Sequence, residues 1–168
     1  MAGASPRMTW RGICGTERAL SWRGVSRFLP TTGDDGDTEL SDARATVLVV
    51  DDEEMVRRLA ARMLLQLGYR VLEARDGHEA LKLLQRPTQL ITAVLTDLAM
   101  PGIGGRTLGE TVANCWPQVR VLYMSGFPAQ RMVNEGALDP SHPFIQKPFT
   151  SDQLGRKVRE LLAHPLEQ

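Results

Sequence analysis

Short apolar runs alternate with helix-like segments from Ala45 onward, and they define the predicted architecture. Five runs have the length of strands, namely TVLVV (46–50), RVLEA (70–74), ITAVLT (91–96), VRVLYM (119–124) and PFIQ (143–146). Most of these runs are apolar throughout and do not alternate with polar residues, which indicates burial on both faces. We therefore predict a parallel sheet that is covered by helices.

The segments between the runs repeat apolar residues at helical spacing. A core-facing helix that stops at the left-handed Gly68 is predicted from Met55, Leu59, Met63 and Leu67, which recur at every fourth position. Further helices are predicted over 78–85 with Asp76 as cap, 107–114, a short stretch at 129–135, and 150–163. This (βα)5 alternation predicts an α/β fold with a doubly wound parallel sheet. We expect the flavodoxin-like strand order 2-1-3-4-5.

Polar residues stand at the downstream ends of four of the apolar runs. The set comprises Asp51 and Asp52 after 46–50, Asp97 after 91–96, Ser125 after 119–124, and Lys147 after 143–146. In an open parallel sheet the carboxyl ends of the strands form one crevice, so these side chains are expected to converge. The crevice would be acidic, with a hydroxyl and an ammonium on its far side, which suits a phosphoryl group.

Three carboxylates in one crevice would repel one another. Two unit charges ~4 Å apart cost about 4 kcal/mol at an effective dielectric constant of about 20. A divalent cation removes this cost, and oxygen-only ligation by few protein groups favours Mg²⁺ as the cofactor. Taken singly, Asp51 and Asp52 are better explained as helix caps, and Asp97 as a turn residue. Their joint placement with Ser125 and Lys147 favours a phosphorylation site.

Four segments carry a resemblance to a known family. The segments VLVVDDE, LTDLAMPGIGG, YMSG and FIQKPF resemble the receiver domain of two-component response regulators, over roughly residues 45–163. The stretches YMSG and QKPFTSDQLGRKVRELL look like receivers at the C-termini of hybrid histidine kinases. The resemblance implies that Asp97 is the phosphoacceptor, which attacks a phosphohistidine of a histidine kinase or histidine phosphotransfer protein.

The resemblance also assigns roles around the acceptor. It implies that Asp52, Asp97 and the backbone carbonyl of Ala99 bind Mg²⁺, with Asp51 acting mostly through water. Ser125 and Lys147 would contact phosphoryl oxygens. Pro148 is expected to follow a cis peptide bond.

Aromatic and apolar residues near the site suggest how a phosphate signal is read and how long it lasts. Phe144 lies where the family has its switch aromatic, and it would turn inward when phosphate draws in Ser125. Ala99 and Phe127 are apolar at two positions that often carry polar residues in the family. We hypothesise that Phe127 shields the acyl phosphate and lengthens its life.

Composition limits the predictions of where the protein is located and of how the chain divides into domains. Of the 168 residues 24% are charged, the formal net charge is zero, and broad attraction to nucleic acid or anionic lipid is not predicted. No apolar stretch approaches the ~20 residues of a membrane-spanning helix, and the N-terminus lacks the apolar core of a secretory signal, so a cytoplasmic protein is expected. We expect a disordered leader or linker at 1–44, a receiver domain at 45–163, and a tail at 164–168.

These observations leave several functions open. The first interpretation is a single-domain phospho-accepting regulator, not an enzyme beyond its own phosphorylation and dephosphorylation. After Ala163 only HPLEQ remains, so no DNA-binding output domain is expected, and output would pass to a downstream protein. The alternative is a detached C-terminal receiver module of a hybrid sensor histidine kinase. A Mg²⁺-dependent hydrolase is a third candidate, although Ala99 stands where the haloacid-dehalogenase pattern needs a second aspartate. A receiver-like module that never takes phosphate is the fourth.

Overall fold

The computed structural model describes residues 45–86, 88–128, 131, 134 and 139–163. The strands are β1 (Thr46–Val50), β2 (Arg70–Ala74), β3 (Ile91–Asp97), β4 (Arg120–Ser125) and β5 (Phe144–Gln146). The helices are α1 (Glu54–Gln66), α2 (Gly77–Leu84), α3 (Gly105–Cys115) and α4 (Ser151–Ala163). The predictions for 1–44 and 164–168, and most of the predicted helix at 129–135, lie outside the described residues.

The five strands form one parallel sheet in the order β2-β1-β3-β4-β5. This order confirms the predicted doubly wound fold. Every residue of β1 is buried, as its unbroken apolar run indicated. The strand ends differ slightly from the prediction, because Asp97 and Ser125 are the last residues of β3 and β4 and do not follow them.

Helices cover both faces of the sheet and divide the core in two. One cluster joins α1 and α4 to the sheet, with Val49, Leu64, Leu95, Met124, Leu154 and Val158 among its members. The other joins α2 and α3 to the opposite face, with Leu48, Val50, Ala80, Leu81, Val94, Leu108 and Val112 among its members. Because helices cover both faces, polar groups are left to the rims of the sheet, and in open α/β sheets the functional rim is the one at the carboxyl ends of the strands.

The predicted inward face of α1 is wrong at its N-terminal end. Met55 is 77% exposed and Leu59 is 53% exposed. The buried residues of α1 are Ala60, Ala61 and Leu64. Residues four apart on an α-helix are offset by about 40°, so the series that starts at Met55 turns gradually toward the core. Only its later members, Met63 and Leu67, pack against the core.

Local signals at the helix ends are confirmed. The Asp76 carboxylate accepts a hydrogen bond from the Glu79 N–H at 2.8 Å and caps α2. Gly68, just after α1, has a φ of 91°, the left-handed conformation that was predicted there. Among the residues that the structure describes, no helix has the length and apolar character needed to cross a membrane.

Candidate functional site

The residues predicted from the strand ends lie at the same edge of the sheet. Asp51 follows β1, Asp97 ends β3, Ser125 ends β4, and Lys147 follows β5. The side chains of Asp51, Asp97 and Ser125 are buried. Asp52 lies at the same edge, but it is exposed. Buried polar groups need hydrogen-bond partners, so the contacts of these side chains define the geometry of the site.

Lys147 joins the two buried carboxylates. Its Nζ lies 2.7 Å from Asp51 Oδ2 and 2.7 Å from Asp97 Oδ1. Its backbone N–H donates to the Ser125 carbonyl at 2.8 Å, which ties the residue to the end of β4. The Lys147–Pro148 peptide bond is cis, as predicted. The structure thus brings Asp51, Asp97 and Lys147 into direct contact from three different strand ends.

The charge on Lys147 is stabilised by this arrangement. Burial of the ammonium by itself would lower the pKa of Lys147, but the hydrogen bonds and charges of Asp51 and Asp97 outweigh it and raise the pKa above its usual value. The ammonium therefore stays charged and offsets part of the repulsion between the two carboxylates.

Both carboxylate oxygens of Asp97 have partners. Oδ1 accepts from Lys147, and Oδ2 accepts from the Ala99 N–H at 2.8 Å. The backbone of Asp97 is in close contact with α3, because a Cβ added at Gly105 would lie only 2.9 Å from the Asp97 carbonyl carbon. The first residue of α3 is therefore seated directly on the end of β3, and only glycine fits there.

Asp51 is held on three sides. Its Oδ2 pairs with Lys147, and its Oδ1 accepts from the Glu53 N–H at 2.9 Å. Its backbone carbonyl accepts from Arg57 Nη1 at 2.7 Å, and Arg57 Nε lies 3.5 Å from Glu73 Oε2. Sequence reasoning did not identify Arg57. The available signal was a charged residue one turn into α1, on the side that faces the sheet.

Ser125 ends β4, and Phe127 lies two residues beyond it. The Phe127 N–H donates to Ser125 Oγ at 3.1 Å, so the hydroxyl is positioned by the residue two places along. The Phe127 ring is exposed, and the guanidinium carbon of Arg131 lies 4.7 Å from the ring centroid. Ala99 is also exposed.

Phe144, the predicted switch aromatic, packs against Tyr123 of β4. Tyr123 is buried, and its ring meets His142 edge to face with 5.5 Å between centroids. Burial raises the pKa of Tyr123, and the charge of Glu110 raises it further. Sequence reasoning gave Tyr123 no role, because its contacts with Phe144 and His142 join segments far apart in the chain.

The donor chemistry of this edge suits a hard divalent cation. Asp51 and Asp97 present buried carboxylates on either side of one ammonium, and Asp52, the residue that follows Asp51, is exposed. Within the described part of the chain, no three His, Cys, Asp or Glu side chains are gathered so as to hold a metal by themselves. Mg²⁺ does not require such a cage, because it usually takes one or two carboxylates and keeps several waters.

Comparisons with known proteins agree with this geometry. Residues 47–159 match the family described as "Response regulator receiver domain". The chain is similar to the sensor kinase CckA of Brucella abortus, with 34% identity over 125 residues that cover 74% of this chain and 13% of that kinase. It is also similar to the CAI-1 autoinducer sensor kinase/phosphatase CqsS of Vibrio cholerae, with 34% identity over 115 residues that cover 67% of this chain and 16% of that protein. The chain therefore spans a small part of the length of these relatives.

Solved structures show the same fold. The receiver domain of the hybrid histidine kinase CckA aligns with a TM-score of 0.59 and 33% identity, covering 70% of this chain and 99% of that one. The response regulator protein TrrA of Thermotoga maritima, solved in complex with Mg²⁺ and BeF, aligns with a TM-score of 0.60 and 29% identity over 70% of this chain and 99% of that one. Since sequence, fold and the polar edge of the sheet all agree, the chain belongs to the family of response regulator receiver domains of two-component systems.

Proposed function

We propose that Asp97 of this receiver domain accepts a phosphoryl group from a phosphohistidine of a histidine kinase or histidine phosphotransfer protein. A carboxylate oxygen of Asp97 attacks phosphorus, the P–N bond breaks, and its electron pair returns to the imidazole nitrogen. The product is an aspartyl phosphate. The observation that carries the proposal is the Lys147 ammonium, held 2.7 Å from carboxylate oxygens of both Asp51 and Asp97 at the strand edge.

Mg²⁺ is the cofactor that fits this site. Asp52, Asp97 and the Ala99 carbonyl would hold it, with Asp51 acting through water, and it would supply charge neutralisation during transfer. Lys147 donates to a phosphoryl oxygen once Asp97 is phosphorylated, and Ser125 donates to another. The buried position of Ser125, with Oγ already oriented by Phe127, supports its role.

Phosphorylation would be read out through β4 and β5. When Ser125 moves toward the phosphoryl group it leaves space, and Phe144 turns inward to fill it. The contact between Phe144 and Tyr123 supports this coupling, because Tyr123 lies two residues before Ser125 on the same face of β4. The changed surface then binds a downstream protein.

We assign Phe127 and Ala99 to the lifetime of the aspartyl phosphate. Both are exposed, Ala99 two residues after the acceptor and Phe127 two residues after Ser125, and neither can position a hydrolytic water through a polar side chain. Two contacts support this role: the Phe127 N–H donates to Ser125 Oγ, and the Arg131 guanidinium lies over the Phe127 ring. Exclusion of water would slow hydrolysis.

The partner is a histidine kinase or a histidine phosphotransfer protein, and two domain arrangements of this receiver are proposed. The first is a free-standing cytoplasmic regulator that acts by protein contact and does not bind nucleic acid. The second is a module detached from a hybrid sensor kinase. The similarity to the Brucella sensor kinase and to the receiver of a hybrid histidine kinase supports the second arrangement.

Incubation with acetyl phosphate and Mg²⁺, followed by intact-protein mass spectrometry, tests the proposed chemistry. The protein should gain one phosphoryl group, and Asp97→Asn should gain none. Asp152→Asn is the matched control, since Asp152 is an exposed aspartate in the first turn of α4. Continuous release of inorganic phosphate over many turnovers, without a stable adduct, would instead identify a Mg²⁺-dependent hydrolase. Absence of any adduct in folded protein would contradict the proposal.

A further inference from the structure

We propose that Arg57 is a positioning residue for the cation site, and that it sets the Mg²⁺ affinity by orienting the peptide between Asp51 and Asp52. This inference rests on the proposed function, because it concerns the same Mg²⁺. It gives a role to a residue of α1 that does not itself touch the acceptor Asp97.

The geometry ties Arg57 to the strand end. Arg57 Nη1 donates to the Asp51 carbonyl at 2.7 Å, a short distance for a charge-assisted hydrogen bond. The Arg57 side chain is 15% exposed, so water competes little for this contact. Its neighbour Arg58 makes an ordinary surface pair with Glu54 at 2.7 Å, and its side chain is 70% exposed. The two adjacent arginines of α1 therefore have different tasks.

The peptide that Arg57 holds joins the two acidic residues. The carbonyl of Asp51 and the nitrogen of Asp52 belong to one planar group, so a donor that fixes the carbonyl also fixes the direction in which the chain enters Asp52. Asp51 has other restraints, because its N–H donates to the Ala74 carbonyl at 3.3 Å and its carboxylate accepts from Glu53 and Lys147. The exposed Asp52 depends more on this one peptide orientation.

Glu73 makes it possible for a positively charged side chain, that of Arg57, to lie near the proposed Mg²⁺ site. A guanidinium beside a site for Mg²⁺ would repel the metal, since like charges are unfavourable at short range. Glu73 Oε2 on β2 lies 3.5 Å from Arg57 Nε and offsets that charge. Arg57 can therefore orient the peptide with little net positive charge added to the site.

A Mg²⁺ titration of the ¹⁵N-labelled full chain, followed by NMR shifts of the amides at the strand ends, measures the affinity directly. Arg57→Met should weaken Mg²⁺ binding roughly tenfold, the usual scale for losing a group that orients a ligand. Arg57→Lys, which cannot span both partners with a planar fork, should fall between Arg57→Met and the unsubstituted protein. Arg58→Met is the matched control and should leave the affinity unchanged. Glu73→Gln should weaken binding by exposing the guanidinium charge.

A second measurement distinguishes loss of the orienting contact of Arg57 from misfolding of the site. Phosphate uptake from acetyl phosphate by Arg57→Met should be slow at low Mg²⁺ and recover at saturating Mg²⁺, whereas a misfolded site would not recover. If Arg57→Met does not fold, Arg57→Lys and Glu73→Gln carry the test. Mg²⁺ affinity equal to that of the unsubstituted protein in the folded variants overturns the inference and leaves the proposed function intact. Lack of any Mg²⁺ response in the unsubstituted protein overturns both.

Discussion

The ammonium of Lys147 is 2.7 Å from Asp97 Oδ1, and the same nitrogen is 2.7 Å from Asp51 Oδ2. One positive charge from the end of β5 thus serves two carboxylates from the ends of β1 and β3. Without this charge the two carboxylates would face each other in a buried crevice. Lys147 therefore has a structural task before any phosphoryl group arrives.

Replacement of Lys147 by methionine should destabilise the protein in a metal-dependent way. We expect the free energy of unfolding to fall by roughly 1–3 kcal/mol in EDTA, because two buried carboxylates lose their charged partner. Mg²⁺ should restore more stability to Lys147→Met than to the unsubstituted protein. Thermal unfolding with EDTA and with excess Mg²⁺ measures both effects. The exposed Lys157→Met is the control, and equal losses in the two variants would contradict the expectation.

Alkaline pH should weaken the same contacts. The pKa of Lys147 is raised above its ordinary value of 10.5, so its contribution to stability is complete below that pH and is lost as pH rises through the folded-state pKa. Denaturant unfolding between pH 9 and 12 should show a decline above about pH 10.5 that is smaller in Lys147→Met. Tyr123 adds a decline of the same sign above its ordinary value of 10.0, since burial raises its pKa. A Lys147→Met profile that overlays the unsubstituted one would count against the first contribution.

Truncation of Phe127 should shorten the life of the aspartyl phosphate. In Phe127→Ala the ring is lost together with its contact to Arg131, so water should reach the acyl phosphate more easily. We expect the half-life to fall by roughly two- to fivefold, which corresponds to about 0.5–1 kcal/mol of barrier. Phe127→Leu, which keeps apolar bulk, should lie closer to the unsubstituted protein. Phosphate loss after rapid removal of the donor measures this, and an unchanged or longer half-life in Phe127→Ala would refute the shielding role.

A methyl group at Gly109 should disrupt the contact between α3 and β4. A Cβ at this position would lie 2.7 Å from Tyr123 Cζ, and the buried ring has little room to move. In an exposed helix position Gly→Ala would stabilise by about 0.5–1 kcal/mol. Here we expect a net loss of about 1–3 kcal/mol from overpacking.

Gly126→Ala is the matched control for this steric effect. A Cβ at Gly126 would have no atom within 4 Å, so its unfolding free energy should change by less than about 0.5 kcal/mol. Urea unfolding of both variants gives the comparison. A Gly109→Ala variant as stable as the unsubstituted protein would show that α3 can shift away from Tyr123.

Sequence alone predicted the strands and the polar edge well, because both depend on strong local signals. Runs such as 46–50 and 91–96 are mostly apolar and carry no charge, and the acidic residue that follows each run stands out. Once a parallel sheet is accepted, its topology brings the strand ends to one edge. The contact of Lys147 with Asp51 and Asp97 follows from that arrangement and the length of the lysine side chain.

Other features depended on packing that the sequence does not encode locally. The face of α1 was mispredicted because large residues at Met55 and Leu59 outweighed the small Ala60, although a helix lies close to a sheet through small residues. Arg57 and Tyr123 were missed for a related reason. Their partners lie on other elements, and neither residue type is diagnostic at its position.

Two glycines one helical turn apart bring α3 into direct contact with the sheet. Gly105 rests on the backbone of Asp97, and Gly109 rests on the ring of Tyr123. At Gly105 the helix meets the backbone of β3 directly, and at Gly109 it meets the buried Tyr123 ring. Close-packed interiors transmit displacement instead of absorbing it. Any shift of the Asp97 main chain must therefore displace the start of α3 as well.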